Sequence, residues 1–196
     1  GYKDKVQAYQ VQKLRLMRTD GTGRKVLSKE LDRDVENATW ASDSKGLYFM
    51  YNDLGITKIA YIDLEGKVTD IADKVGGTTL GRPYASGSFS VSEYGKISYT
   101  YGLSDRPAEV AVIEMNPMEE KVLTQVNADL LDYRNMGKVE ELWYKSSKDG
   151  RDIQGWVVYP PNYVKGTKAP LIVENHGGPI LNYGPYFSAE IQLYAA

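Results

Sequence analysis

Ala38-Thr39-Trp40-Ala41-Ser42-Asp43-Ser44-Lys45-Gly46-Leu47-Tyr48-Phe49-Met50-Tyr51 is a tryptophan, a Ser/Asp-rich turn and then an aromatic strand. The same order returns in Phe89-Ser90-Val91-Ser92-Glu93-Tyr94-Gly95-Lys96-Ile97-Ser98-Tyr99-Thr100-Tyr101. Each copy is followed by a further strand, Ile56-Thr57-Lys58-Ile59-Ala60-Tyr61-Ile62-Asp63-Leu64 after the first and Ala108-Glu109-Val110-Ala111-Val112-Ile113-Glu114-Met115-Asn116 after the second. The spacing is on the order of 45 to 50 residues, the length of one four-stranded propeller blade. A blade buries its faces only against the blades beside it, and a ring closes with roughly four to eight of them. Two to three fit here. Residues 1–127 therefore read as the C-terminal blades of a larger β-propeller; the alternative is a chance recurrence of strand and turn composition. Upstream, Leu14-Arg15-Leu16-Met17 alternates apolar and basic residues into the turn Thr19-Asp20-Gly21-Thr22-Gly23 and returns through Val26 and Leu27, which predicts a hairpin. Downstream, the segment from Asn127 to Gly137 reads as the connector out of the blades.

Composition narrows the classes of partner. The chain has 196 residues, 42% of them hydrophobic, and a net charge of −2, with a pI near 5.6. A surface without basic excess draws neither nucleic acid nor an anionic membrane. No apolar run approaches the roughly 18 residues of a membrane helix, so no membrane insertion is expected. There is no cysteine, which excludes disulfides and thiol chemistry but leaves the compartment open between periplasm and cytoplasm, the former preferred. Gly1-Tyr2-Lys3-Asp4 is neither an initiator methionine nor a signal peptide, and the chain is expected to be a piece of a longer one.

The second informative stretch is Pro170-Leu171-Ile172-Val173-Glu174-Asn175-His176-Gly177-Gly178-Pro179. Leu171, Ile172 and Val173 read as a strand buried on both faces, and the two glycines after it permit backbone conformations that a side chain would block. A helix is expected next. Phe187, Ile191 and Tyr194 fall at i, i+4 and i+7, Ser188 is placed to cap the first turn, and Glu190 sits where the helix dipole favours a negative charge. The order is strand, glycine turn, helix.

Upstream of it, Asp149-Gly150-Arg151-Asp152-Ile153-Gln154-Gly155-Trp156 opens the return strand of a hairpin that starts near Val139 and runs into Tyr159-Pro160-Pro161-Asn162-Tyr163. Hairpin, Pro-Pro and His-Gly-Gly-Pro in this order resemble the prolyl oligopeptidase family of serine peptidases, in its acylaminoacyl peptidase and dipeptidyl-peptidase-like subgroup. The resemblance implies a mixed fold, all-β propeller blades (incomplete) over 1–127 followed by the N-terminal part of an α/β-hydrolase domain over 128–196. It also implies that the backbone N–H of Gly178, or that of Gly177, donates to the oxyanion formed on a carbonyl under attack. His176 and Pro179 would support that loop, the histidine by hydrogen bonding and the proline by fixing φ at the exit. A tight turn that merely needs glycine, and a strand-end histidine without a role in catalysis, are the plain readings of the same residues.

A hydrolase of that fold needs a serine on a sharp strand-to-helix turn, then an acid, then a histidine base. None is assignable here. No serine lies in Gly-x-Ser-x-Gly, Gly102-Leu103-Ser104-Asp105-Arg106 being a half-match in a blade turn, and the lone histidine precedes any position the family uses for its base. Glu119-Glu120 and Glu140-Glu141 are adjacent carboxylates beside strands and read as exposed charge. One histidine and no cysteine make a transition-metal site improbable, and no cofactor is implied. Tyr183 and Tyr186 stand where they would either line a substrate pocket beside the glycine turn or cover the start of the helix. The resemblance thus implies a piece of a serine oligopeptidase or exopeptidase that hydrolyses short peptides by acyl transfer, inactive by itself. Its expected partners are short peptides and the remainder of the same polypeptide, and a homo-oligomer is compatible with it. The other reading is a non-catalytic propeller module that binds a ligand, with a degenerate hydrolase-like tail.

Overall fold

The computed structural model describes residues 9–77, 79–178 and 180–196. A short hairpin, β1 (Arg15–Leu16) and β2 (Lys25–Val26), precedes two antiparallel meanders of four strands each. The first runs β3 (Glu36–Trp40), β4 (Gly46–Asp53), β5 (Ile56–Asp63), β6 (Val68–Val75); the second runs β7 (Phe89–Val91), β8 (Ile97–Tyr101), β9 (Glu109–Met115), β10 (Met118–Val122). These are the two blades expected from the repeat. Among the described residues β6 and β8 pair across the two at one position, Val75 opposite Tyr101.

Burial follows the two-residue period of the strands. In β4, Leu47, Phe49 and Tyr51 point one way and pack with Ala60 and Ile62 against Leu14, Leu16 and Leu27 of the first hairpin. Tyr48 and Met50 point the other way and join Ile59, Ala72 and Val75 in a core shared with Ile97, Tyr99, Ala111 and Ile113 of the second blade. The first blade is thus covered on both faces. That is why β4 reads as a nearly unbroken apolar run, and each fully buried side chain such as Phe49 or Ile59 contributes roughly 1.5–3 kcal/mol. Tyr48 lies directly opposite Tyr61 across β4 and β5, their rings 5.3 Å apart and tilted, so the aromatic pair locks the register as well as filling space.

After the blades come a one-turn helix, α1 (Ala128–Leu131), and the expected second hairpin, β11 (Val139–Lys145) and β12 (Asp152–Val158), paired from Val139 opposite Val158 to Lys145 opposite Asp152. Helix α2 (Ala189–Ala195) closes the chain, and Ser188 caps it as the sequence suggested, its hydroxyl accepting from the Ile191 N–H. One expectation is corrected. Leu171, Ile172 and Val173 form no strand and stand 79%, 61% and 69% exposed. A strand covered on both faces needs hydrogen-bonding neighbours and a layer on each side. Among the described residues the only strands beyond α1 are β11 and β12, and those are paired with each other.

Candidate active site

The glycine turn belongs to a strap, described over residues 174–178 and 180–190, that crosses the junction of the two blades. Its seat is the loop joining β6 to β7. Backbone bonds fasten it there: Ala85 N–H donates to the Asn182 carbonyl at 2.9 Å, Gly184 N–H to Pro83 at 3.0 Å, and Glu190 N–H to Leu80 at 3.2 Å. Tyr84 and Tyr183 form an antiparallel bridge, and their rings meet edge to face at 4.9 Å. The Ser188 hydroxyl donates to the Gly81 carbonyl, so one side chain both caps α2 and holds it to the loop.

Tyr186 is the wedge of this contact. It is 7% exposed, with Gly76, Gly102 and Gly184 against its ring, and its hydroxyl accepts the Thr57 N–H at 2.7 Å. No face of it is open to a substrate in this arrangement. The approach is close because neither partner carries a side chain: a Cβ on Gly184 would lie 2.2 Å from the Gly55 carbonyl oxygen. Gly55 itself, at the β4–β5 turn, meets the Trp156 ring of the second hairpin and the Tyr183 carbonyl. Blade, hairpin and strap therefore converge on one turn, where the Gln154 side chain also donates to the Leu54 carbonyl at 2.9 Å. At the far end, the Gln192 side chain accepts the Gly137 N–H at 2.7 Å and donates to the Gly137 carbonyl at 3.0 Å, which ties α2 to the connector.

His176, Gly177 and Gly178 lie at the exposed end of the strap. The His176 ring packs on Tyr183, centroids 5.2 Å apart, and its Nδ1 lies 3.2 Å from the Gly177 carbonyl. Gly178 has φ +66°, the left-handed region that glycine enters without cost, and its carbonyl accepts the Leu181 N–H at 3.0 Å. No hydrogen bond among the described residues uses the N–H of Gly177 or of Gly178. Pro179 lies outside the described residues. Tyr183 is half-buried between Tyr84 and His176; burial, then the Tyr84 hydroxyl, pushes its phenol up to about 12.

Arg82, in the β6–β7 loop, is the residue that sequence reading missed. Its Nε lies 2.8 Å from Glu174 Oε1, and its Nη1 pairs with Glu190 Oε2, so one guanidinium bridges the carboxylates at the two ends of the strap. The Tyr194 hydroxyl and then Arg82 hold the Glu190 carboxyl below the usual carboxylate range. Nothing local signals this, because the Glu190 partner is 108 residues away in sequence. The acidic pairs are exposed on β10 and β11; Glu140 bonds Lys138 at 2.5 Å, and Glu120 accepts the Tyr99 hydroxyl. A recess of about 250 Å³ lies between the β4–β5 turn and the second hairpin, lined by Leu54, Ile56, Trp156 and Pro185 among others. Its charged walls are already paired, Asp53 with Arg33 and Lys58, and Glu141 with Trp143 and Gln154. No cluster that could hold a metal ion occurs among the described residues.

By its fold the chain is a pair of propeller blades with a glycine-bearing strap across their junction. No protein-family model matches it, but known proteins do. It is 34% identical over 158 residues to the uncharacterized peptidase YuxL of Bacillus subtilis, covering 80% of this chain and 22% of that protein. It is 29% identical over 160 residues to dipeptidyl-peptidase 5 of Porphyromonas gingivalis, 81% of this chain and 22% of that one. Among solved structures it matches an acylaminoacyl peptidase in complex with Z-Gly-Gly-Phe-chloromethyl ketone, 27% identical, with a TM-score of 0.70 over 90% of this chain and 25% of that one. The chain thus spans about a fifth to a quarter of the length of the proteins it matches. Its relatives are peptidases, and the resemblance to the prolyl oligopeptidase family, in its acylaminoacyl peptidase and dipeptidyl-peptidase-like subgroup, is borne out.

Proposed function

We infer that this chain supplies the last blades, the domain junction and the oxyanion loop of a serine peptidase that hydrolyses short peptides by acyl transfer. Residues 128–196 are on this reading the start of its α/β-hydrolase domain, and the nucleophile, acid and base come from the rest of the same polypeptide. The observation that carries the reading is the strap: two consecutive glycines whose N–H groups no hydrogen bond among the described residues uses, held beside the blade junction by a network that involves neither of them. Donors of that kind lower the barrier to acyl transfer when they meet the oxygen that gains charge in the transition state, and they cost no reorganisation if they are fixed beforehand. Gly178 is the preferred donor because its left-handed φ and the turn bond that its carbonyl accepts from Leu181 anchor the residue that carries the N–H. The flanking blades would limit access to short or unfolded peptides. Without a nucleophile and base this chain by itself has no covalent route and is expected to be inert.

The test is covalent labelling. The full-length protein that carries this chain should react with a fluorophosphonate probe at a single serine outside residues 1–196, and it should release amino-terminal fragments from short peptides. A full-length protein that folds, binds a peptide saturably and stays unlabelled would instead be a propeller binding module.

A further inference from the structure

The ties that reach the glycine turn from outside it are few. Among the described residues, the side-chain hydrogen bonds, ion pairs and ring contacts from 171–178 to the rest of the molecule are those of Glu174, with Arg82 at 2.8 Å and with the Tyr183 hydroxyl at 3.4 Å, and the ring contact of His176 with Tyr183. Tyr183 is itself seated on Tyr84, two residues from Arg82. Through Arg82 directly and through Tyr183 on Tyr84, these contacts run into one stretch of the β6–β7 loop. The lone apolar run, Leu171 to Val173, contributes no anchorage because it is exposed.

We propose that Arg82 is a positioning residue of the peptidase: by clamping Glu174 and Glu190 at once it sets where the glycine turn sits over the blade junction, and so makes the oxyanion donors depend on how the two blades are packed. The proposal rests on the peptidase reading given above. A guanidinium suits the task because its planar fork presents several N–H groups in fixed directions, and here two of its nitrogens take two different carboxylates. A lysine ammonium would be a single point charge. The junction is a natural place for coupling, since among the described residues strands of the two blades pair at one position, Val75 with Tyr101, and the loop carrying Arg82 begins directly after Val75. Any shift of one blade against the other moves that loop, and Arg82 carries the shift to Glu174, three residues before Gly177. Ion pairs that solvent still reaches, as it does here, do little for stability, so the clamp should show itself in the placement of the turn and not in the melting temperature.

The experiment is a double-mutant cycle in the full-length protein, with Arg82→Ala, Glu174→Gln and both together, read in two ways. Hydrogen exchange of the peptide covering residues 174–181 should be about five- to tenfold faster in each single variant, with no further gain in the double and with β4 and β5 unchanged. In the same variants kcat and the fluorophosphonate rate should fall between about 10- and 100-fold while KM and the melting temperature stay at the wild-type values, because a donor displaced by about 1 Å affects the transition state more than the bound substrate. Unchanged exchange in Arg82→Ala would overturn the clamp, and so would additive effects in the double variant. Faster exchange with unchanged labelling would overturn the positioning role. If the wild-type protein is unlabelled but the exchange pattern is as described, the peptidase reading fails and the clamp stands, so the two failures are distinguishable.

Discussion

Gly184→Ala is the substitution through which the docking of the strap is most sharply tested. An alanine Cβ at this position would sit 2.2 Å from the Gly55 carbonyl oxygen and 2.5 Å from the nearest atom of the Tyr186 ring. The first of these is backbone in a tight turn and has nowhere to go, so the strap must lift by roughly 1 Å to restore ordinary contact, an overpacking cost of about 1–3 kcal/mol. Lifting also stretches the bond from Thr57 N–H to the Tyr186 hydroxyl, now 2.7 Å, and Thr57 is buried, so an orphaned amide adds about 1–3 kcal/mol. A combined penalty near 3 kcal/mol falls on strap docking and leaves the blades intact, because the cores around Phe49 and Ile59 do not touch residue 184. Native-state hydrogen exchange reads it directly. The Thr57 amide should exchange about a hundredfold faster in the variant, at about 1.4 kcal/mol per tenfold, while amides in β4 and β8 keep their protection. Unchanged protection at Thr57 would refute the wedge, and a uniform loss across both blades would refute the claim that the strap docks as a separate unit.

Three further outcomes follow from the same contacts. Gln192→Ala leaves both the N–H and the carbonyl of buried Gly137 without their partner and should lower stability by about 2–3 kcal/mol in a chemical denaturation series, with the exchange of connector amides rising first. Glu109 is buried; burial works against its charge, but the Thr124 hydroxyl, the Val126 N–H and Asn127 outweigh it and hold the carboxyl below the usual range. A depressed folded-state value gives stability that is present above the unfolded value and lost as pH falls through the folded one, so acid below the ordinary carboxylate range should loosen the connector, and Thr124→Val should shift that loss to higher pH in a pH-dependent melt. Tyr183 is the opposite case: raised from about 10 to about 12, it stabilises the strap fully below pH 10 and stops doing so as pH rises through 12. Buried Tyr51 and Tyr99 are raised as well, so a tyrosinate absorbance titration should show several late-titrating phenols, with one fewer, near pH 12, in Tyr183→Phe.

What could be read in the sequence was what neighbouring residues decide. The aromatic run Leu47 to Tyr51, the recurrence at Ile97 to Tyr101 and the Asp-Gly turn before β12 are local patterns of period two, and strands followed from them. The Ser188 cap was legible for the same reason, since its partner is three residues away. The strap was not. Tyr186 reads as a pocket wall or a helix cover until Thr57 and the three glycines against it are known, and Arg82 pairs with residues that no local pattern connects to it. Leu171 to Val173 shows the converse error: three apolar β-formers in a row state a preference for a buried strand, but burial is a property of the neighbours, and in this structure those neighbours are not strands.

An oxyanion loop has to bring its glycine turn against a charged oxygen. The most direct measurement is a crystal structure of the full-length protein carrying a covalent peptidyl chloromethyl ketone or peptide aldehyde adduct. The N–H nitrogen of Gly178, or of Gly177, should lie about 2.7–3.1 Å from the adduct oxygen, with Arg82 still bonded to Glu174. An adduct whose oxygen is held by other donors, with residues 176–178 turned away from it, would contradict the central claim.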